Sequence, residues 1–491
     1  MCESQGTLFQ PEFNRSVRVE ARRERLSADG GALLLRELLH RLGLDIWLSE
    51  RLDDPRDPVR TTHSTEELLR TLVLLQGQGW TDQADVDLLR DDPVFRLAVS
   101  SRRQDRPLRE ARRPPEPEGL CSQPTLSRCL RWLSTEANRR ELGRTLREIA
   151  DRRHGLRFRP PLREVTLDLD SLPVEVHGHQ PGTAYSGHYR CRCYHPLVLH
   201  WNRGDFLAAR LRPGNAHTAD GALDFARPGI RWARQRARSV WLRIDAGFPS
   251  ADFLAGIEAE GVRYVARLRS NSVLEARAEP HLKRPPGRPP KKGRTWLQEL
   301  RYQAGSWERE RRVVLVFLER RDAQGELFPD HFFLLTNAPI EDVSATELLE
   351  RYRGRGRAEK DFGDWKSGLE VRLSSSPRPK THYRGRRLPD PEPARDSFAV
   401  NEAWLLVRLI AANLLEIGRT QCERASGRRL GRERFRRWLL KVAVRVTLGS
   451  RQIKVILGAR RARAWAALWK QIRQAFPIRG SPEPRTRPLP A

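Results

Sequence analysis

The sequence predicts an α/β protein, with a core of alternating strands and helices between about residues 160 and 375 and helical regions on either side. Three observations carry this. Apolar/polar alternation starts near residue 163, strand and helix patterns then alternate through residue 268, and apolar stripes at helical spacing dominate before residue 150 and after residue 397.

Taken in order, residues 25–135 read as helical. "HSTEELLRTLVLLQGQG" offers Ser64 and Glu67 as a capping box, Leu68, Leu69, Leu72 and Leu75 as an apolar face, and Gly77 as a stop. "SSRRQDRPLREARRPPEPEG" is a Pro/Arg-rich loop. In "CSQPTLSRCLRWL", Ser122 can cap a helix with Leu126, Leu130 and Leu133 on one stripe. Ser127, Arg128 and Arg131 would face outward, which suits an ordinary amphipathic helix better than a DNA-reading one.

In "EVTLDLDSLPVEV", Val165, Leu167 and Leu169 point one way and Thr166, Asp168 and Asp170 the other. "HPLVLHWN" and "DFLAARLRPG" form a hairpin around Asn202–Gly204. A helix follows near 218–236, and a buried strand then ends at Asp245. Next come a helix capped by Ser250 and the strand "VRYVARL".

Residues 271–340 interrupt this order with a Pro-rich basic loop and the strands "ERRVVLVFLER" and "DHFFLLT", a β-rich insertion. Ser344 and Glu347 then cap the helical stretch 341–375. Residues 376–478 hold a Pro/Arg loop and mostly helices, and 479–491 are a polar Pro-rich tail expected to be disordered.

The chain carries 91 basic and 62 acidic residues, a net charge of +29, which favours a polyanionic partner such as nucleic acid. Arg far outnumbers Lys and there is one Met, a bias that GC-rich coding also produces, so charge alone does not prove binding. The six cysteines are scattered, which suits a reducing compartment, the cytoplasm. No apolar run follows a basic start, so no signal peptide is expected. Phe398 to Gly418 is apolar but contains Asn401, Glu402, Arg408 and Asn413. It reads as a buried helix, and no membrane partner is expected.

The stretch "ELLERYRGRGRAEKDFGDWKSGLE" is dense in charge. At about 100° per residue, Tyr352, Arg355, Glu359, Phe362 and Lys366 fall within roughly 80° of one another on a helix. Either this is a salt-bridge ladder, with Arg355 and Glu359 as an i,i+4 pair, or the stripe faces a ligand. Gly354 and Gly356 each cost a helix about 1 kcal/mol, which makes sense where something large, such as a DNA backbone, packs closely.

Asp170 and Asp245 each end a strand, at the edge of a sheet where α/β proteins place ligands. If the Glu359 helix packs against the same edge, three carboxylates converge. Oxygen ligands without thiolate suit Mg²⁺ or Mn²⁺, and two such ions about 3.5–4 Å apart can activate a nucleophile and stabilise the leaving oxygen of a phosphodiester.

These residues resemble a family. Tyr352, Arg355, Glu359 and Lys366 match, in type and in all three gaps, the Y-(2)-R-(3)-E-(6)-K signature of DDE transposases of the insertion-sequence 4 superfamily. "TLDLDSLPV" and "RIDAGF" look like the two aspartate strands. "HPLVLHW" and "LRPGNAHTADGA" are similar to segments of the insertion-sequence 1380 group, and the likeness runs over roughly residues 20–460.

The resemblance implies an RNase H-like catalytic core with an all-β insertion, flanked by an N-terminal helical domain and C-terminal helices. It implies a metal-dependent enzyme that cleaves and joins DNA, with Asp170, Asp245 and Glu359 as catalytic triad and ligands of two Mg²⁺ or Mn²⁺ ions. It implies DNA contacts by Tyr352, Arg355 and Lys366, a helical DNA-binding or dimerisation region over 1–150, and a core split between 160–270 and 341–375. Partners would be the transposon ends, target DNA and a second copy of the chain, in a bacterial cytoplasm, on the nucleoid when bound. Asp168 shares a strand face with Asp170 and competes for the first acidic position, but Ser171 matches the family position after Asp170. Trp296 and Trp307 are candidates to stack on a flipped base, and Arg288 in "PPGRPPKK" to enter a minor groove.

Three other readings compete. His177, His179, Cys191, Cys193 and His195 could bind zinc, but one-residue spacings suit a structural zinc site poorly. A DNA-binding protein without catalysis would not need the acidic trio intact. A nuclease on the same core would differ only in what attacks phosphorus.

Overall fold

The structure is a computed structural model that describes residues 7–109, 119–176, 180–187, 189–282, 293–321, 327–368, 373, 382–383, 386–387, 395–449 and 452–478. The chain forms two compact units, each discontinuous in sequence. One comprises Met1–Arg41, Arg56–Leu126 and Gly418–Ala491, the other Leu42–Pro55 and Ser127–Ile417.

The first unit is mainly helical. Its helix α1 (Thr65–Gln78) starts where expected, with the Ser64 hydroxyl accepting from Glu67 N–H. It does not stop at Gly77, which lies inside it against Leu35. It stops at Gly79, whose φ of 88° only glycine adopts cheaply. Within the stretch after residue 397 expected to be mostly helical, two strands also occur. Val444–Leu448 and Ile453–Leu457 form an antiparallel hairpin, joined at its outer edge by Arg25–Ser27. "VRVTL" and "IKVIL" are β-branched at alternate positions, and this local signal overrides the helical surroundings.

The second unit is built on one eight-stranded mixed sheet. The strands are β1 (Leu162–Ser171), β2 (Leu197–Trp201), β3 (Asp205–Arg210), β4 (Ala237–Ile244), β5 (Arg263–Leu268), β6 (Arg294–Tyr302), β7 (Arg311–Arg321) and β8 (Leu327–Thr336). Their order across the sheet is β6-β7-β8-β5-β4-β1-β2-β3. β4 is parallel to both β1 and β5, while β2 and β3 are antiparallel additions beside β1. The predicted insertion strands do pair antiparallel with each other. They continue the main sheet through β8 on β5 instead of standing apart, and β6 is a third strand not anticipated.

Alternation along the strands builds two cores. Val165, Leu167 and Leu169 of β1 join Leu242 and Ile244 of β4 on one face. Helices α2 (Ala222–Arg234) and α3 (Ala251–Ala259) cover that face with Ala226, Ile230, Phe253 and Ile257. On the other face, Trp241, Val265, Val314 and Leu334 pack against Leu348 and Leu349 of α4 (Ala345–Arg353). Ser250 caps α3, and Ser344 with Glu347 forms a full capping box on α4. Thr166, Asp168 and Asp170 therefore point to the α4 face, since successive residues of a strand alternate.

A helix over Arg395–Ser426 is long and apolar enough to cross a membrane, but 78% of its apolar window is buried inside the structure. Asn413 explains why a polar residue belongs there. Its side chain accepts from Phe206 N–H and donates to Phe206 carbonyl, each at 2.9 Å, completing hydrogen bonds at β3, the edge strand.

Candidate active site

The site begins with strand register. β1 and β4 are parallel, and Arg243 lies opposite Asp168. Continuing two residues places Asp245 beside Asp170, because 243 − 168 and 245 − 170 are both 75. Neighbouring strands sit about 4.8 Å apart, so the two aspartates flank one another at the C-terminal edge. The chain adds β2 and β3 on one side of β1 and then β4 and β5 on the other, a reversal of strand order of the kind that opens a crevice at the strand ends of α/β sheets. Asp170 is buried and takes Ser171 N–H on Oδ1 at 2.9 Å, while Asp245 is half-buried and takes Gly247 N–H on Oδ1 at 2.8 Å.

Asp168 is fully committed elsewhere. Both its oxygens receive the Arg243 guanidinium, at 2.7 Å from Nε and 2.6 Å from Nη2. The pair is sealed between sheet and helix, with Asp168 wholly buried. Arg243 Nη1 also donates to the Arg351 carbonyl at 3.1 Å, fixing the end of α4 to the sheet. Asp168 is thus wholly buried with both oxygens on one guanidinium, whereas Asp170, two residues nearer the strand end, divides its oxygens between Ser171 N–H and Arg355.

α4 ends at Gly354, and α5 (Arg355–Gly368) restarts immediately. A Cβ on Gly354 would lie 2.3 Å from Arg243 Nη1, so this glycine makes room for a buried arginine of the same chain. That corrects the expectation of an external partner at Gly354. Around Gly356 nothing lies within 4 Å.

Arg355 is only 4% exposed. Its Nη2 donates to Asp170 Oδ2 at 2.9 Å, its Nη1 to the Leu169 carbonyl at 3.3 Å, and its Nε to Glu359 Oε1 at 3.3 Å. The i,i+4 ladder is therefore present, and Arg355 also joins Glu359 to Asp170, while the break at Gly354 puts Tyr352 on the preceding helix, apart from the other four residues of the stripe. Glu359 itself reaches solvent, with a side chain 61% exposed. Tyr352 is half-buried against Phe332, with ring centroids 6.3 Å apart, and Phe362 is buried against His200 and Phe206. Lys366 lies on α5, and its side chain is outside the described residues.

Burial pushes the Asp170 carboxyl up to about 6, helped by the charges of Asp245 and Glu359 and opposed by Arg355. Burial raises Asp168 too, against the pull of Arg243. Burial alone would lower Arg355, but Asp170, Asp245 and Asp168 outweigh it and hold the guanidinium above its ordinary value. The picture is of acidic groups crowded at one edge, with a single buried arginine between two of them.

Among the described residues, no group of three or more His, Cys, Asp or Glu side chains is placed to hold a metal ion. The donor chemistry is right for a hard cation, but Arg355 stands between Asp170 and Glu359. The side chains as arranged do not fit a metal held by all three.

His195, weighed above only for zinc, is buried and hydrogen-bonded through Nδ1 to the Ala216 carbonyl at 3.0 Å. Cys191 and Cys193 lie two residues apart on one short strand and share a face of it, but Cys193 is buried while Cys191 is half-buried; His177 and His179 lie outside the described residues. Trp296 stacks on Phe317 at 3.8 Å and Trp307 is buried against Tyr302, so both are packed within the β-rich part. Arg288 is outside the described residues. Arg243 is the member that sequence reasoning missed, although an arginine inside the apolar run "VWLRI" was a visible signal of a buried ion pair.

Comparison with known proteins identifies the family of the chain. The family model described as "Transposase DDE domain group 1" matches residues 9–384. The chain belongs to that family of DDE transposases, enzymes that generally use divalent metal ions. No curated protein matches the chain. Among solved structures, it is similar to a piggyBac transposase synaptic complex with hairpin DNA, at 12% identity and a TM-score of 0.37, over 92% of this chain and 82% of that one.

Proposed function

We propose that this chain is a DNA transposase of the insertion-sequence 4 superfamily, nearest the insertion-sequence 1380 group. In this reading it binds terminal inverted repeats, cleaves at them and joins the freed 3′-hydroxyls to target DNA. Membership of the DDE family supports the class. The observation that carries the site assignment is Asp170 at the end of β1 and Asp245 just past the end of the adjacent parallel strand β4, with Glu359 tied to Asp170 through Arg355. The order β3-β2-β1-β4-β5, three antiparallel strands followed by two parallel ones, supports an RNase H-like core, with β6–β8 as its β-rich insertion.

Asp170, Asp245 and Glu359 form the proposed catalytic and metal-binding set, with two Mg²⁺ or Mn²⁺ ions as cofactor. When bound, those ions supply an activated nucleophile and a stabilised leaving oxygen. The chain's own part is to hold the acidic groups at one sheet edge. Asp168 and Arg243 lock β1, β4 and the end of α4 together beneath them. Tyr352, Arg355 and Lys366 are the proposed contacts to the DNA backbone, with Arg288 and Trp296 as further DNA contacts in the insertion. The helical residues 1–150 would serve end binding or dimerisation, and residues 376–478 would complete the flanking helical part. A homodimer on DNA, in the cytoplasm, is the expected assembly, and the net charge of +29 suits that polyanionic partner.

The test is strand transfer in vitro. Purified protein is given duplexes made from the DNA bordering its reading frame, a supercoiled target and Mg²⁺. Joined products bounded by short target duplications support the proposal. Cleavage without joining would favour a nuclease, and binding without cleavage a domesticated DNA-binding protein.

A further inference from the structure

The proposed acidic set and the observed side chains disagree at one point, and the disagreement is informative. Arg355 holds Asp170 with one terminal nitrogen, the Leu169 carbonyl with the other, and Glu359 with Nε. A guanidinium keeps its proton at any working pH, so it stays a cation wherever it goes. A divalent ion bridging Asp170 and Glu359 would have to share their oxygens with that cation at close range, with the Asp170 end of the bridge buried. The two exclude each other.

We infer that Arg355 is an internal cation that closes the acidic site to divalent metal in the free protein, and that a phosphate of bound duplex DNA draws it out. This rests on the proposed reading of Asp170, Asp245 and Glu359 as metal ligands. The way out is visible. Asp170 is the buried end of the bridge and Glu359 the exposed end, with a side chain 61% exposed. Beside Arg355, the space above Gly356 is open. Arg353, Arg357 and Lys360 are exposed nearby and give that surface the charge to attract a polyanion. A departing guanidinium needs a new anion, because a buried cation without one is costly, and a phosphate accepts the same two-pronged donor as a carboxylate. DNA binding and metal binding then become mutually favourable, and the linkage is reciprocal. A free protein abundant in the cell would stay without metal until seated on DNA.

The experiment measures Mn²⁺ binding to the full chain by titration calorimetry, for wild type and Arg355→Gln, with and without a duplex taken from the DNA bordering the reading frame. For wild type, DNA should tighten Mn²⁺ binding about tenfold, within the usual range of coupled sites. Arg355→Gln should bind Mn²⁺ about tenfold more tightly than wild type without DNA, and DNA should then add less than about twofold. Equal Mn²⁺ affinity of the two free proteins, or undiminished coupling in the variant, overturns the inference. Asp170→Asn and Asp245→Asn separate it from the reading beneath it. If they leave Mn²⁺ binding intact, the acidic-set reading fails. If they abolish binding but Arg355→Gln shows no gain, only the internal-cation inference fails. Should Arg355→Gln not fold, Arg355→Lys replaces it. Lysine keeps the charge but cannot reach Asp170, Leu169 and Glu359 together, so a partial gain in free Mn²⁺ affinity is expected and no gain is refuting.

Discussion

Asp170 offers a prediction that runs against ordinary expectation for a buried ion pair: its neutral isostere should stabilise the protein. The perturbation is Asp170→Asn, studied in metal-free buffer with chelator. Burial, with the charges of Asp245 and Glu359, holds the folded carboxyl at about 6 against an ordinary 3.8. A folded pKa above the unfolded one means that the folded state binds the proton more tightly. Stability from this group is therefore fully present below about pH 4 and is lost as pH rises through about 6. A rise from 3.8 to about 6 corresponds to about 3 kcal/mol, carried as a penalty on the charged form at pH 8. The Asp170 side chain is 10% exposed, so solvent screens little of it. Asparagine escapes the penalty but gives up the charged partner of Arg355, so about 3 kcal/mol is the ceiling of the gain. Urea denaturation at pH 8 should show Asp170→Asn more stable than wild type. The difference should shrink through pH 6 and vanish or reverse near pH 4. A variant less stable than wild type at pH 8, or a difference independent of pH, would refute the reasoning.

Other substitutions test the frame around the site. Arg243→Met alone strands a buried Asp168 and should cost about 3–5 kcal/mol by urea denaturation, whereas Arg243→Met with Asp168→Leu should recover most of that loss. Gly354→Ala drives a Cβ to 2.3 Å from Arg243 Nη1 and should cost about 1–3 kcal/mol, while Gly356→Ala, in open space, should be neutral or stabilise by up to about 1 kcal/mol. Trp296→Ala removes the ring stacked on Phe317 and should cost at least about 1 kcal/mol of stability, read from thermal melting, separately from any effect on DNA affinity read by mobility shift.

Much of this arrangement was legible in the sequence because local chemistry and global fold agree there. The alternation of "EVTLDLDSLPVEV" set the face of Asp170, and Ser250 and Ser344 marked helix starts that the structure keeps. The order of the main-sheet strands and the helices from 162 to 268 followed from periodicity, but the separate small sheet of Val174–Glu175, Ala184–Ser186 and Cys191–Tyr194 did not. What sequence could not give was pairing between distant segments. Nothing local says that β8 adds to β5, because a strand edge is chosen by tertiary contact. The end of the helix at Gly79 instead of Gly77 depended on backbone angle and on Leu35 packing at Gly77, neither of them a composition signal. Arg355 shows the limit most clearly. Helical spacing placed it on the stripe with Glu359, but whether it faced solvent or lay beneath a carboxylate 185 residues away depended on how α5 docks. Asp168 was ambiguous for the same reason. Only the partner on the next strand, Arg243, shows that its oxygens are already in use.

The most direct measurement is cleavage of the terminal DNA by Asp245→Ala. Asp245 has fewer structural duties than buried Asp170. It is half-buried, it accepts from Gly247 N–H in its own turn, and it lies beside Asp170 by register. Its loss should leave the fold and end binding intact. Mg²⁺-dependent cleavage of duplexes carrying the element's ends, followed on a denaturing gel, should be present for wild type and abolished for the variant, with mobility shift showing retained binding. Full cleavage by Asp245→Ala would contradict the assignment of the acidic set.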